Sequence, residues 1–103
     1  TWLGLNALSF NTQSSKTVKK NIKNITDAEA KKLLGLRPVS FDYKNGVKNQ
    51  RGLIAEEVAE IYPEMVNTPE GGTPSIDYSK FVPYLIKMVQ MQQKQIDALK
   101  SAK

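Results

Sequence analysis

The C-terminal stretch from Ser79 onward constrains the fold more than any other part of the chain. It is about 24 residues long, or about 36 Å as an α-helix, and its seam positions recur at alternating spacings of three and four. The heptad a positions are Val82, Val89 and Ile96, and the d positions are Leu85, Gln92 and Leu99. Beyond Gln90 this seam is narrow and polar residues surround it, which favours self-association in a coiled coil over packing on its own domain. The β-branched residues at the a positions do not determine how many helices associate in the coiled coil.

Composition limits the rest of the molecule and its chemistry. The 103 residues make one domain or a fragment, and a core of that size is marginal unless chains associate. The absence of cysteine excludes disulfides and thiol catalysis, and the absence of histidine removes the usual general base and the commonest metal ligand. We therefore expect no metal and no cofactor.

The charge pattern also restricts the partners. The net charge is +5, and most of the positive charge lies in the first half of the chain. Those cations are scattered between apolar residues, without an arginine cluster or interleaved aromatic residues, so we expect no nucleic-acid binding. No stretch approaches the 18 or so apolar residues of a membrane span, so we expect no membrane partner.

Local signals predict a first short helix. The sequence Thr26-Asp27-Ala28-Glu29 is a capping box, in which Thr26 and Glu29 satisfy each other's backbone amides. The helix is expected to run to about Leu34, with Gly35 as the residue that follows it in the left-handed conformation.

The middle of the chain predicts a hairpin and a second helix. Residues 39–43 alternate as a strand does, Asn45-Gly46 is a turn signal, and residues 51–54 form the return strand. Residues 55–62 predict a helix, and residues 67–75 a loop. The fold class is therefore α+β: a small domain with short helices, a β-hairpin and a long C-terminal helix, which forms a coiled coil.

A change in composition suggests where the domain begins. Residues 1–13 are uncharged, and their broken apolar alternation suits an edge strand at the end of a preceding unit. Residues 14–78 then form the α+β domain, and residues 79–103 form the coiled-coil helix.

The basic run Ser14-Ser15-Lys16-Thr17-Val18-Lys19-Lys20-Asn21-Ile22 has two interpretations. It is either a solvated surface segment or a serine nucleophile served by a lysine base, since Ser-Lys pairs are a known variant of that arrangement. Five residues is neither of the spacings that share a helix face, so a turn would have to bring the two side chains together. The residues alone leave open which interpretation holds and which serine acts.

Four stretches together resemble a known family. They are the basic run just quoted, residues 36–43, residues 52–58 with 62–66, and residues 77–85, and they occur in family order over roughly residues 14–90. The chain is similar to the C-terminal intramolecular chaperone domain of bacteriophage tail spikes and tail fibres, the S74 peptidase domain, which also occurs in eukaryotic myelin regulatory factor proteins. It departs from the family in having Ser15 where Asp is frequent and Glu56 or Glu57 where Gln is frequent.

The resemblance implies a folding aid that removes itself. It implies that three chains associate, here through Val82, Leu85, Val89, Gln92, Ile96 and Leu99, and that they template the upstream fibre or spike region of the same polypeptide. It implies one self-cleavage between Gln13 and Ser14, with Ser14 as nucleophile and Lys19 as general base. The expected location is the host cytoplasm during virion assembly, with release from the mature fibre after cleavage.

Assembly offers a way to activate Lys19. Removing a lysine from water favours its neutral form, so we hypothesise that packing three chains buries Lys19 and starts the cleavage. Two alternatives stay open: a trimerisation module that does not cleave, and the related self-cleaving domain of a membrane-tethered transcription factor.

Overall fold

A computed structural model describes residues 12–102 of the chain. The edge strand predicted within residues 1–13 falls mostly outside this range. The described elements are α1 (Asp27–Lys31), β1 (Val39–Phe41), β2 (Gln50–Gly52), α2 (Ala55–Ile61), β3 (Val66–Asn67), β4 (Ser75–Ile76) and α3 (Phe81–Ser101). Strands β1 and β2 form one antiparallel hairpin, and β3 and β4 form another. The predicted α+β class, with short helices and a long C-terminal helix, is confirmed.

Helix α1 begins at the predicted capping box. Thr26 Oγ1 accepts the Glu29 amide at 3.1 Å, and Glu29 Oε1 accepts the Thr26 amide at 3.3 Å. The hydrogen bonds from Thr26 hold the pKa of Glu29 below its usual value, because they favour the carboxylate. The helix ends at Lys31 and continues as a 3-10 turn over Lys32–Gly35.

The predicted role of Gly35 is wrong. Gly35 closes the 3-10 turn, and the glycines with positive φ are Gly46 and Gly71 instead. A Cβ at Gly35 would lie 3.3 Å from Ile61 Cδ1, so Ile61 would have to shift slightly to admit a larger residue. The close approach of α2 to this turn is a tertiary feature, which a local capping rule does not contain.

The β1–β2 hairpin forms around the predicted turn, with shorter strands. Val39 pairs with Gly52, and Phe41 pairs with Gln50 as the last rung. The strands stop there because Asn49 takes a left-handed φ of 59° and donates its amide to Asp42 Oδ1 at 2.9 Å.

A tighter turn lies inside this loop. The Tyr43 carbonyl accepts the Gly46 amide at 3.1 Å, and Tyr43 donates its own amide to the Val47 carbonyl at 2.7 Å. Gly46 has a φ of 104°, a conformation that glycine adopts without a steric penalty. The Asn45-Gly46 turn is therefore confirmed.

Tyr62 is the centre of the core. It is 1% exposed and packs with Val58, Met65 and Phe81, all buried. Its ring stacks on Tyr84 with centroids 5.1 Å apart and meets Phe81 edge-on at 5.8 Å.

The Tyr62 hydroxyl links this core to α1 by donating to the Glu29 carbonyl. Burial is the main reason that the pKa of Tyr62 rises to about 12, with a smaller contribution from neighbouring Tyr84. One aromatic side chain at the end of α2 thus joins α1 and α3.

Helix α3 begins two residues later than predicted. A 3-10 turn over Tyr78–Lys80 precedes it, and Ser79 Oγ donates to Asp77 Oδ1 at 2.7 Å. The side chains of Asp77 and Ser79 therefore bond each other, and neither caps the helix. No helix in the described residues 12–102 is long and apolar enough to cross a membrane.

Candidate functional site

The segment before α1 is folded by a turn at Ser15. The Ser15 carbonyl accepts the Val18 amide at 3.0 Å, which closes a four-residue turn. Ser15 Oγ accepts the Thr17 amide at 3.1 Å and lies 2.8 Å from Thr17 Oγ1. These contacts reverse the chain just after Ser14.

The reversal brings Ser14 and Lys19 together. Lys19 Nζ donates to Ser14 Oγ at 2.6 Å, although the two residues are five positions apart. Ser14, Lys19 and the preceding Gln13 are all exposed. A turn, rather than a helix face, thus makes the contact between the two residues proposed from the sequence as nucleophile and base.

The geometry distinguishes the two adjacent serines. Ser14 Oγ faces the amine of Lys19, whereas Ser15 Oγ is bonded to the backbone and side chain of Thr17. The catalytic roles assigned to Ser14 and Lys19 stay predictions, but the structure gives each serine a different set of partners.

Asn21 adds a second change of direction after Lys19. Its φ is 54°, in the left-handed region that asparagine tolerates better than most residues. Sequence reasoning missed this residue; the signal was an asparagine directly after two lysines, outside any predicted element.

The segment that carries Ser14 and Lys19, residues 12–24, is named the reactive segment after its proposed role, and it is anchored at its far end. Ile25 is half-buried, and Asp27 Oδ1 accepts an ion pair from Lys87 Nζ of α3 at 3.3 Å. The contact ties the start of α1 to α3, so the segment carrying Ser14 leaves the fold close to the long helix.

An ion pair also fixes α2. Arg37 Nε and Nη2 donate to the two carboxylate oxygens of Glu57 at 3.1 and 2.6 Å. The hydrogen bond from Arg37 lowers the pKa of Glu57, and the same bond raises the pKa of Arg37. The sequence alone does not reveal this pair, because its members are 20 residues apart and no local pattern connects them.

The seam of α3 is exposed in the single chain. The helix packs Phe81, Tyr84 and Met88 toward the core, and the seam lies beside this face. The exposed fractions are 53% for Val82, 53% for Leu85, 64% for Val89, 45% for Ile96 and 69% for Leu99, and Gln92 is also exposed. The predicted trimer interface is therefore open to solvent in one chain, and its pairing stays a prediction.

An apolar groove adjoins this seam, and sequence reasoning missed it. Its volume is about 590 Å³, and its lining residues include Leu36, Val39, Leu53, Phe81 and Leu85. The groove arises where the β1–β2 hairpin meets the start of α3, so only the tertiary arrangement creates it.

The family of the chain follows from a match to its N-terminal half. The family model for Peptidase_S74, described as the chaperone of endosialidase, matches residues 14–67. The chain belongs to this family. No curated protein matches the sequence at a significant level.

Membership in the Peptidase_S74 family supports an intramolecular chaperone role. The matched region begins at Ser14 and includes the contact with Lys19, and it ends before α3.

In the described residues, no group of three or more His, Cys, Asp or Glu side chains is placed to hold a metal ion.

Proposed function

We propose that this chaperone domain cuts its own backbone once, between Gln13 and Ser14, and so releases the upstream region that it helps to fold. Ser14 is the nucleophile and Lys19 the general base. The observation that supports this most directly is the 2.6 Å contact between Lys19 Nζ and Ser14 Oγ, at the first residue of the family match.

The reaction proceeds by transfer of the Gln13 acyl group. Neutral Lys19 takes the hydroxyl proton of Ser14, and Ser14 Oγ attacks the Gln13 carbonyl carbon. The C–N bond to Ser14 then breaks, and the Lys19 ammonium returns the proton to the leaving nitrogen. Gln13 is now held as an ester on Ser14 Oγ, with a free α-amine on Ser14.

Water completes the cleavage. It adds to the ester carbonyl, and the ester bond breaks to leave a carboxylate on Gln13 and a hydroxyl on Ser14, while the released proton passes to the free α-amine of Ser14. Because the bond that breaks joins Ser14 to its own preceding residue, each chain can react only once. Preorganised backbone amides would stabilise the oxyanion in both steps.

Assembly supplies the environment that the reaction needs. Ser14 and Lys19 are exposed in the single chain, and a lysine amine in water near neutral pH is almost entirely protonated. The proposal requires that association of three chains through α3 removes water from this segment, because loss of water favours a neutral amine. Cleavage thus follows association, so that the chaperone leaves only after it has aligned three chains.

The proposal is tested by intact mass spectrometry of the full chain with its natural upstream region, sampled over time after expression. We expect the parent to separate between Gln13 and Ser14, and both Ser14→Ala and Lys19→Met to remain whole. The matched control is Lys20→Met, which removes the neighbouring cation and should leave the cleavage rate unchanged. Cleavage of the Ser14→Ala chain at the parent rate would contradict the mechanism.

A second candidate function has its own supporting observation. The exposure of Ser14 and Lys19 in the single chain also suits a trimerisation module that never cuts. In that case the parent stays whole while size-exclusion chromatography with light scattering reports a trimer.

A further inference from the structure

We infer that Ser15 is a positioning residue for the cleavage, and that its side chain holds the turn that places Lys19 against Ser14. This inference rests on the proposed function, and it assigns a role to a residue that neither attacks nor takes a proton. Three contacts carry it: the two to Thr17 and the turn that closes on Val18.

The turn is needed because an extended chain would hold Ser14 and Lys19 too far apart to touch. Extended backbone advances about 3.3 Å per residue, so five residues span about 16 Å. Contact at 2.6 Å between side chains therefore requires the chain to fold back within the intervening residues. The turn from Ser15 to Val18 lies within that interval and supplies the reversal.

Ser15 stabilises the turn through a bond that its hydroxyl accepts. Serine side chains accept amides two residues ahead and so favour turns over extended chain. Ser15 Oγ does this with the Thr17 amide at 3.1 Å. Thr17 Oγ1, 2.8 Å from Ser15 Oγ, adds a contact on the same atom.

Exposure makes this local bond important. The residues from 12 to 24 are all exposed, so the turn does not draw on the core that orders α1, α2 and α3. A segment ordered by a few hydrogen bonds spends part of its time open. Removing one of those bonds lowers the fraction of chains in which Ser14 and Lys19 meet.

The experiment compares single-turnover cleavage of the full chain with three substitutions. Ser15→Ala should slow cleavage about fivefold to tenfold, which corresponds to about 1 to 1.4 kcal/mol. Ser15→Asn keeps a side-chain acceptor for the Thr17 amide and should restore the rate to within about twofold of the parent. Lys16→Ala, within the same turn, is the matched control and should cleave at the parent rate.

A second measurement does not depend on cleavage. In the uncut Ser14→Ala chain, amide hydrogen exchange of Thr17 should become about fivefold faster when Ser15→Ala is added. It should stay at the slower rate when Ser15→Asn is added. Thermal unfolding of all these chains should coincide, because Ser15 lies outside the core.

The outcomes separate this inference from the proposed function. If the parent cleaves, Ser14→Ala blocks it and Ser15→Ala cleaves at the parent rate, the role of Ser15 is wrong and the mechanism stands. If Ser15→Asn is as slow as Ser15→Ala, the accepted hydrogen bond is not the cause, and the inference is overturned. Equal exchange of the Thr17 amide in both uncut chains overturns it even when no chain cleaves.

Discussion

Two parts of this small protein are held together in different ways. In the reactive segment, residues 12–24, every residue is exposed, and the hydrogen bonds join residues two, three or five positions apart. In the packed unit, residues 25–91, the buried Tyr62 joins elements that are distant in sequence.

The difference shows that the geometry of the Ser14–Lys19 contact and its exposure to water have separate structural causes. The contact between Ser14 and Lys19 depends on local turns, whereas stability comes from the packed unit. In the single chain, neither part shields the contact between Ser14 and Lys19 from water. Under the proposed function, association through α3 provides that shielding. Substitutions in the two parts should therefore affect different observables.

The largest expected effect lies in the packed unit. Tyr62→Ala removes a fully buried aromatic side chain and should lower the free energy of unfolding by about 3–5 kcal/mol. Urea denaturation measures it. Tyr62→Phe is the matched control: it keeps the ring, loses the bond to the Glu29 carbonyl, and should cost about 1 kcal/mol. Equal losses in the two variants would show that the ring packing is not the source of stability.

The next prediction concerns the link between the two parts. Leu85→Gln with Val89→Gln makes the exposed seam polar, and should abolish the trimer and slow cleavage about 100-fold or more, because the reactive segment then stays in water. Light scattering and intact mass measure the two effects on the same samples. Lys94→Gln, which introduces the same side chain on the side of α3 away from the seam, is the control. Monomers that cleave at the parent rate would show that association does not activate Lys19.

A smaller effect is expected inside the reactive segment. Asn21 has a φ of 54°, which costs a residue with a bulky side chain about 1–2 kcal/mol. Asn21→Val should therefore slow cleavage about fivefold to 30-fold, whereas Asn21→Gly should cleave near the parent rate. Thermal unfolding should be alike for both variants, since Asn21 is exposed. If the Asn21→Val chain cleaves as fast as the Asn21→Gly chain, the conformation of Asn21 does not contribute to the geometry of the site.

The smallest effect belongs to the surface of the packed unit. The folded-state pKa of Glu57 is lowered by Arg37, so the pair's contribution to stability is present above the usual glutamate pKa of about 4.5. It is lost as the pH falls from there through the lowered folded-state value. The Glu57→Gln variant should therefore lose less stability than the parent as the pH falls from 7 to 3. The measurement is the thermal unfolding temperature of both chains across that pH range. High salt should shrink the difference, because the pair is exposed. A parent and variant with parallel pH profiles would show that the pair contributes nothing.

Much of the fold was predictable because its signals are local. The capping box at Thr26 and Glu29 and the turn at Asn45-Gly46 each depend on residues within four positions of one another, and both form as predicted. The extent of α2 also followed from its short periodic pattern and from the proline after it. Errors occurred where a distant contact replaced the local preference, as when Ile61 packed against Gly35.

The candidate site divides in the same way. The sequence by itself showed a serine and a lysine five residues apart in a chain without histidine or cysteine, and it showed that contact between the two side chains would require a turn. The family resemblance already favoured Ser14 over Ser15, and the three-dimensional structure adds that their hydroxyls have different partners, because those partners depend on how the turn is closed. The three-dimensional structure alone revealed the Arg37–Glu57 pair and the groove beside α3, because those contacts join residues that the chain brings together only on folding.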